Sequence, residues 1–151
     1  MDDTIHGDDL HFGVVLSMFN SAVTSRLLAG AMDALAQAGV AKDHTHVVRV
    51  PGAFEIPVVA QRLAQSGKYH AVICLGAVIR GETPHFEYIS AEVARSIGEV
   101  ALDCELPVIF GVLTTDTVDQ ANERSVIDGR NKGFEAGVAA VEMARLWTAL
   151  P

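Results

Sequence analysis

The sequence predicts a three-layer α/β/α sandwich built on a doubly wound, four-stranded parallel sheet. Short apolar, β-branched runs alternate with amphipathic helical patterns along the whole chain, with no repeat and no linker. Repeated β-α-β units of this kind imply parallel strands joined by right-handed crossovers. The run at residues 107–113 is nearly unbroken in its apolar character, as expected of a strand covered on both faces. At 151 residues, half of them hydrophobic, the chain suits one domain with one good core.

Taken in order, residues 12–17 read as a buried strand. A helix follows from about Ser21, in which Val23, Leu27, Ala31 and Leu35 recur at helical spacing with Leu28 and Met32 beside them, and Gly39 closes it. Residues 46–50 form the second strand, halted by Pro51-Gly52, and residues 56–65 a helix ending at Gly67. Residues 71–75 are the third strand. The long helix after it carries a stripe at Phe86, Ile89, Val93, Ile97 and Val100. The fourth strand at 107–113 leads to a short helix near 118–124 and a last helix near 132–150. That last helix has two apolar stripes, Phe134, Val138 and Val141 on one and Ala136, Ala140, Met143, Trp147 and Leu150 on the other. One stripe is enough to dock on a sheet, so the second is expected to meet another subunit.

Composition narrows the partners. Residues 1–151 form a single domain, with residues 1–10 expected to be a flexible N-terminal segment. A formal charge of −8 argues against nucleic acid. The apolar stretches fall short of the roughly 18 residues of a membrane span, and the acidic N-terminus lacks the basic and apolar regions of a signal peptide. Cys74 and Cys104 have no paired spacing and read as reduced thiols, which fits the cytoplasm. A mean hydropathy of +0.28 is high for so small a chain and points to apolar surface reserved for subunit contacts.

The unusual segments fall at one end of the sheet: residues 19–20, 51–57, 76–85 and 114–115 each follow a strand. Open α/β sheets bind ligands outside the carboxyl ends of their strands. In Gly76-Ala-Val-Ile-Arg-Gly-Glu-Thr-Pro-His85 the chain leaves a buried strand with two glycines and Thr-Pro, presenting backbone N–H groups and a helix N-terminus suited to an anion. Thr83 can cap that helix and Pro84 open it, which puts His85 in the first turn, able to exchange a proton with a ligand. Taken alone, the segment reads more plainly as a strand-to-helix connection with a surface histidine. Phe19, Phe54 and Phe110 would wall a ring, the backbone of Ala53, Phe54 and residues 77–79 would bond its edges, and Arg80 and Arg124 would meet a phosphate. Glu55 most simply serves a helix N-terminus. His44 and His46 share a strand face without an evident third ligand, so no metal site is expected. Neither G-x-G-x-x-G nor G-x-x-x-x-G-K-[ST] opens a helix, and no G-x-S-x-G elbow occurs. From the residues alone, the ligand is a small aromatic ring bearing or accompanied by an anionic group.

Val50-Pro-Gly-Ala-Phe-Glu-Ile-Pro57, the segment from Gly76 to His85, Phe110-Gly-Val-Leu-Thr-Thr115, Gln120-Ala-Asn-Glu-Arg124 and Asn131-Lys-Gly133 together resemble lumazine synthases, in that family's order and spacing from Phe19 to Gly133. The resemblance implies a flavodoxin-like fold and the penultimate step of riboflavin biosynthesis, a condensation needing no metal or redox cofactor. It implies that Phe19 stacks on a pyrimidine and that Ala53, Phe54 and Glu55 bind it and its ribityl chain. Ala77, Val78 and Ile79 read the ring edge, and Phe110 closes the site from a neighbouring subunit. Glu82 and Thr83 take a phosphate with Arg124, Lys132 lies near it, and His85 transfers protons. It further implies a homo-oligomer, a pentamer or a multiple of it up to an icosahedral capsid, with riboflavin synthase as a candidate partner. Two departures stand out: Met18 replaces the usual Arg before Phe-Asn, and Ser125-Val-Ile-Asp128 replaces a more usual Ala-Gly-Thr-Lys. A lumazine- or flavin-binding paralogue, a shell-forming protein and an archaeal-type riboflavin synthase are the alternatives.

Overall fold

The structure, a computed structural model, describes residues 9–82, 84–127 and 129–151. The elements run β1 (Phe12–Ser17), α1 (Ser21–Gln37), a 3-10 turn (Lys42–His44), β2 (Thr45–Val50), a second 3-10 turn (Ala53–Glu55), α2 (Ile56–Gln65), β3 (Ala71–Ile79), α3 (His85–Cys104), β4 (Val108–Thr115), α4 (Val118–Glu123) and α5 (Lys132–Ala149). All strands are parallel in the order β2-β1-β3-β4. The sequence reverses direction across this sheet between β1 and β3, the arrangement that opens a ligand crevice at the strand ends.

Strand side chains alternate between two cores. Phe12, Val14, Leu16, Ile73 and Leu75 pack with Leu27, Leu35, Ala136 and Ala140 of α1 and α5. Val15, Val72, Cys74 and Val112 pack on the other face with Ile56, Val93 and Ile97 of α2 and α3. The period of two places neighbours on opposite faces, and covering both faces explains why the strands read as apolar runs. Leu10, part of the segment expected to be flexible, is fully buried in the first core; residues 1–8 lie outside the described residues.

Among the boundaries that differ from expectation, two bear on the site. β3 continues four residues past Leu75, because residues 76–79 pair with residues 112–115 of β4. Gly76 reads as a strand stop but fills a packing role, since a Cβ there would lie 3.2 Å from Ile56. α3 opens at His85 with Pro84 at the cap position, one residue later than Thr-Pro suggested; Thr83 lies outside the described residues. The stripes of α5 are also cut differently. Its buried face is Gly133, Ala136, Gly137, Ala140, Val141 and Ala144, all small or medium, which lets α5 lie close on α1. Val138, Leu146, Trp147 and Leu150 are left exposed. Among the described residues no helix is long and apolar enough to cross a membrane.

Candidate active site

The chain segments leaving β1, β2 and β3 surround a cleft of about 340 Å³. It is lined by Phe19 and Asn20 after β1, by Gly52, Ala53, Phe54 and Glu55 after β2, and by Ala77, Val78, Ile79 and Gly81 at the end of β3. His85, Phe86 and Ile89 close it from the first turns of α3. Phe19 and Phe54 are 69% and 61% exposed, a large apolar area held in place without a partner in the single chain. Such area is what a flat ring would cover.

Each wall has a local cause. β1 ends where Met18 N–H makes its last bond to the Val50 carbonyl, at 2.8 Å. Pro51 and Gly52 stop β2, and the 3-10 turn Ala53–Glu55 then lines the cleft. Glu55 occupies the cap position of α2 but makes no capping hydrogen bond. Gly52 leaves its carboxylate room, since a Cβ there would lie 3.2 Å from Glu55 Oε1. The Glu55 carboxylate is therefore free for a ligand rather than spent on the helix. β3 outruns β1: its last pair with β1 is Leu16 with Leu75, whereas its pairing with β4 continues to Ile79. Residues 77–79 thus form a strand rim with one open side, a ready set of backbone hydrogen-bonding groups.

Arg80 has a different role from the one expected. Its Nη1 donates to Glu87 Oε1 at 2.7 Å, its Nε to Asp116 Oδ1 at 2.8 Å, and the guanidinium lies 4.4 Å from the centre of the Phe86 ring. The hydrogen bonds to Asp116 and Glu87 hold it further in its charged form. With two carboxylates already on it, Arg80 ties the start of α3 to the end of β4 and is not a free cation for phosphate. Glu82 is exposed in the loop before α3 and does not line the cleft.

Phe110, Arg124 and Lys132 lie elsewhere. They line a second hollow, about 440 Å³, along the edge strand β4 and the start of α5, together with residues 109–114, Glu135, Ala136 and Ala139. The two hollows share no lining residue. Ser125 and Asn131 form an isolated antiparallel bridge that closes the connection from α4 to α5, and Lys132 N–H bonds the Arg124 carbonyl at 2.8 Å. This brings both residues to the lining of one hollow. Asn131 caps α5 through Oδ1 to Phe134 N–H and donates Nδ2 to the carbonyls of Arg26 and Ser125. The Arg26 guanidinium in turn holds Ser125 Oγ and Asn122 Oδ1. Lys132 Nζ meets Glu135 Oε2 at 3.0 Å, and Arg124 Nη1 donates to the Gln120 carbonyl at 3.0 Å. Of the segment that departs from the resemblance, Ser125 is buried in this network and Val126 and Ile127 are exposed; Asp128 lies outside the described residues.

His44 and His46 go to different partners. His44 stacks on His11 with ring centres 3.8 Å apart, and His46 Nδ1 lies 2.7 Å from the Tyr69 hydroxyl. Among the described residues no three His, Cys, Asp or Glu side chains gather as a metal-holding group.

A four-stranded, all-parallel, doubly wound sheet covered by helices, with a cleft at the carboxyl ends of its strands, places the chain in the flavodoxin-like α/β class. The chain belongs to the 6,7-dimethyl-8-ribityllumazine synthase family, whose pattern residues 9–148 match. That family acts in riboflavin biosynthesis and is one of transferases with small-molecule substrates and oligomeric assemblies.

Proposed function

We propose that this chain condenses 5-amino-6-(D-ribitylamino)uracil with 3,4-dihydroxy-2-butanone 4-phosphate to give 6,7-dimethyl-8-ribityllumazine, as a cytoplasmic homo-oligomer whose active site is drawn from two subunits. One observation carries the reading: the site residues fall into two hollows with complementary chemistry and no shared residue. The cleft at the strand ends offers aromatic faces, a backbone rim and a histidine, which suit the pyrimidine. The hollow on β4 offers Arg124 and Lys132, which suit a phosphate, and Phe110, 46% exposed, which suits a lid over a ring. Neither hollow alone serves both substrates. An edge strand docked against a neighbour's cleft would complete both.

In this reading Phe19 and Phe54 hold the pyrimidine, residues 77–79 bond its edge, and Glu55 meets the ribityl chain. The 5-amino nitrogen attacks the ketone carbon and one water leaves as the imine forms. Phosphate departs next, its charge met by Arg124 and Lys132 of the adjacent subunit, with Glu82 and Thr83 as the other phosphate-site residues of the reading. The ribitylamino nitrogen then closes the second ring with loss of another water. His85 takes and returns protons at the reacting atoms. Holding two substrates in register can supply roughly 7–11 kcal/mol of the barrier, more than the 10²–10⁴-fold, or about 3–5 kcal/mol, expected from one acid–base group. Mixing the two substrates with the protein should produce lumazine absorbance and fluorescence together with one inorganic phosphate per product. A protein that binds the pyrimidine without turnover would overturn the assignment.

A further inference from the structure

Asn20 stands at the cap position of α1, yet its side chain makes no capping hydrogen bond. An asparagine there normally satisfies an N–H of the first turn. Its backbone is in the left-handed region, with φ 61 and ψ 47, which asparagine tolerates better than other residues with a Cβ. The local cap bond is given up at the point where β1 leaves the sheet beside the cleft. The carboxamide is used instead across the fold: Nδ2 donates to the Ala77 carbonyl at 2.9 Å. Only a donor can face a carbonyl oxygen, so the orientation of the amide follows from its partner.

The sheet explains what this bond does. The β1–β3 ladder ends at Leu16 with Leu75, while Arg80 N–H still bonds the Thr115 carbonyl on the β4 side. Backbone groups alternate in direction along a strand, so those of Ala77 and Ile79 face the side that β1 has left. Asn20 gives the Ala77 carbonyl the donor that the N–H of residue 19 would have given had β1 run on in the same register. The Ile79 N–H remains directed at the cleft. We propose that Asn20 is a positioning residue for the ring-binding rim. It occupies the Ala77 carbonyl, fastens the turn that carries Phe19 against the end of β3, and thereby sets the spacing between the stacking ring and the Ile79 N–H. The inference rests on the reading in which this cleft takes the pyrimidine.

Asn20→Gly and Asn20→Asp test it. Glycine keeps the left-handed backbone without steric cost and removes the donor. Aspartate keeps shape and size but turns an oxygen toward the Ala77 carbonyl. The KM for the ribitylaminouracil should rise about tenfold in Asn20→Gly, the size expected for one lost hydrogen bond, and at least as much in Asn20→Asp. The KM for the butanone phosphate and the sedimentation coefficient should stay at their wild-type values. Amide hydrogen exchange of the unliganded protein should quicken at residues 78 and 80 and stay unchanged in α5. An unchanged pyrimidine KM, an equal rise in both KM values, loss of assembly, or unchanged exchange at the end of β3 would each overturn the assignment. The exchange measurement needs no substrate, so it decides on the Asn20 clamp even if the wild-type chain makes no lumazine, a result that would remove the proposed function instead.

Discussion

Replacing Gly133 with alanine puts a methyl group 1.9 Å from the carbonyl oxygen of Leu27 and 2.5 Å from its carbon. Both are backbone atoms of α1, so no side chain can swing aside. Ordinary contact begins near 3.4 Å, and α5 would have to withdraw by about 1.5 Å. The seam offers no slack, because Cβ atoms at Gly30 and Gly137 would meet Asn131 Oδ1 at 2.2 Å and Ala34 Cβ at 2.8 Å. Interiors this closely packed respond to an added methyl with a cost of about 1–3 kcal/mol, and a clash between two helix backbones lies at the upper end. For a chain of this length about 3 kcal/mol lowers the melting temperature by about 6–12 °C. Gly98→Ala is the control. Gly98 is exposed within α3 with nothing within 4 Å of its Cβ, so the same substitution gains about 0.5–1 kcal/mol of helix preference and raises the midpoint by about 1–4 °C. Melting curves at one fixed protein concentration measure both. A Gly133→Ala midpoint within 2 °C of wild type would refute the packing argument.

Other expectations concern the site and its surroundings. His85→Ala should slow turnover by roughly one to two orders of magnitude with little change in substrate affinity, because positioning remains; an unchanged kcat removes His85 from the chemistry. Arg124→Ala should weaken apparent affinity for the phosphorylated substrate by about 2 kcal/mol and leave pyrimidine binding almost unmoved; equal weakening of both would make it a structural arginine. His11 is held below its ordinary value near 6.5 by burial first, then by the neighbouring rings of His44 and His70, with Asp43 opposing. A lowered histidine means the unfolded chain binds the proton more readily. The stability tied to His11 is therefore present above about pH 6.5 and is lost as the pH falls through that value toward the lower folded one. Denaturant unfolding between pH 8 and 5 should show that loss, and His11→Gln should flatten it; an equally steep loss in the variant would shift the cause to other groups.

The parallel sheet and its two-sided burial follow directly from runs such as Phe12–Ser17, whose side chains alternate between two apolar layers, whereas the strand order does not. Boundaries were less legible where tertiary contact overrides a local signal. Gly76 looks like a strand end, yet pairing with β4 carries β3 four residues further. The residues of the site were legible as types but not as places. Nothing in the spacing of Arg80 reveals that Glu87 and Asp116 will claim its charge, because one partner lies across a loop in the first turn of α3 and the other follows the next strand. The division of the site into two hollows is likewise a product of sheet order, since β4 at the edge takes Phe110 away from Phe19. Asn20 is visible in the sequence only as the residue after Phe19, with no sign of its bond, and Glu135 carries no motif signal of its own. The positive φ and the long-range bond mark the first, and its contact with Lys132 marks the second.

The claim that each active site joins the cleft of one subunit to the β4 hollow of its neighbour is tested most directly by mixing two defective chains. His85→Ala and Arg124→Ala subunits, unfolded together in equal amounts and reassembled, would place an intact cleft against an intact hollow at about one quarter of the interfaces in a closed ring. At limiting butanone phosphate the mixture should then turn over at about a quarter of the wild-type rate, well above the average of the two parent variants. Activity no higher than that average, in oligomers shown to contain both chains, would mean that His85 and Arg124 act within one subunit and would contradict the shared site.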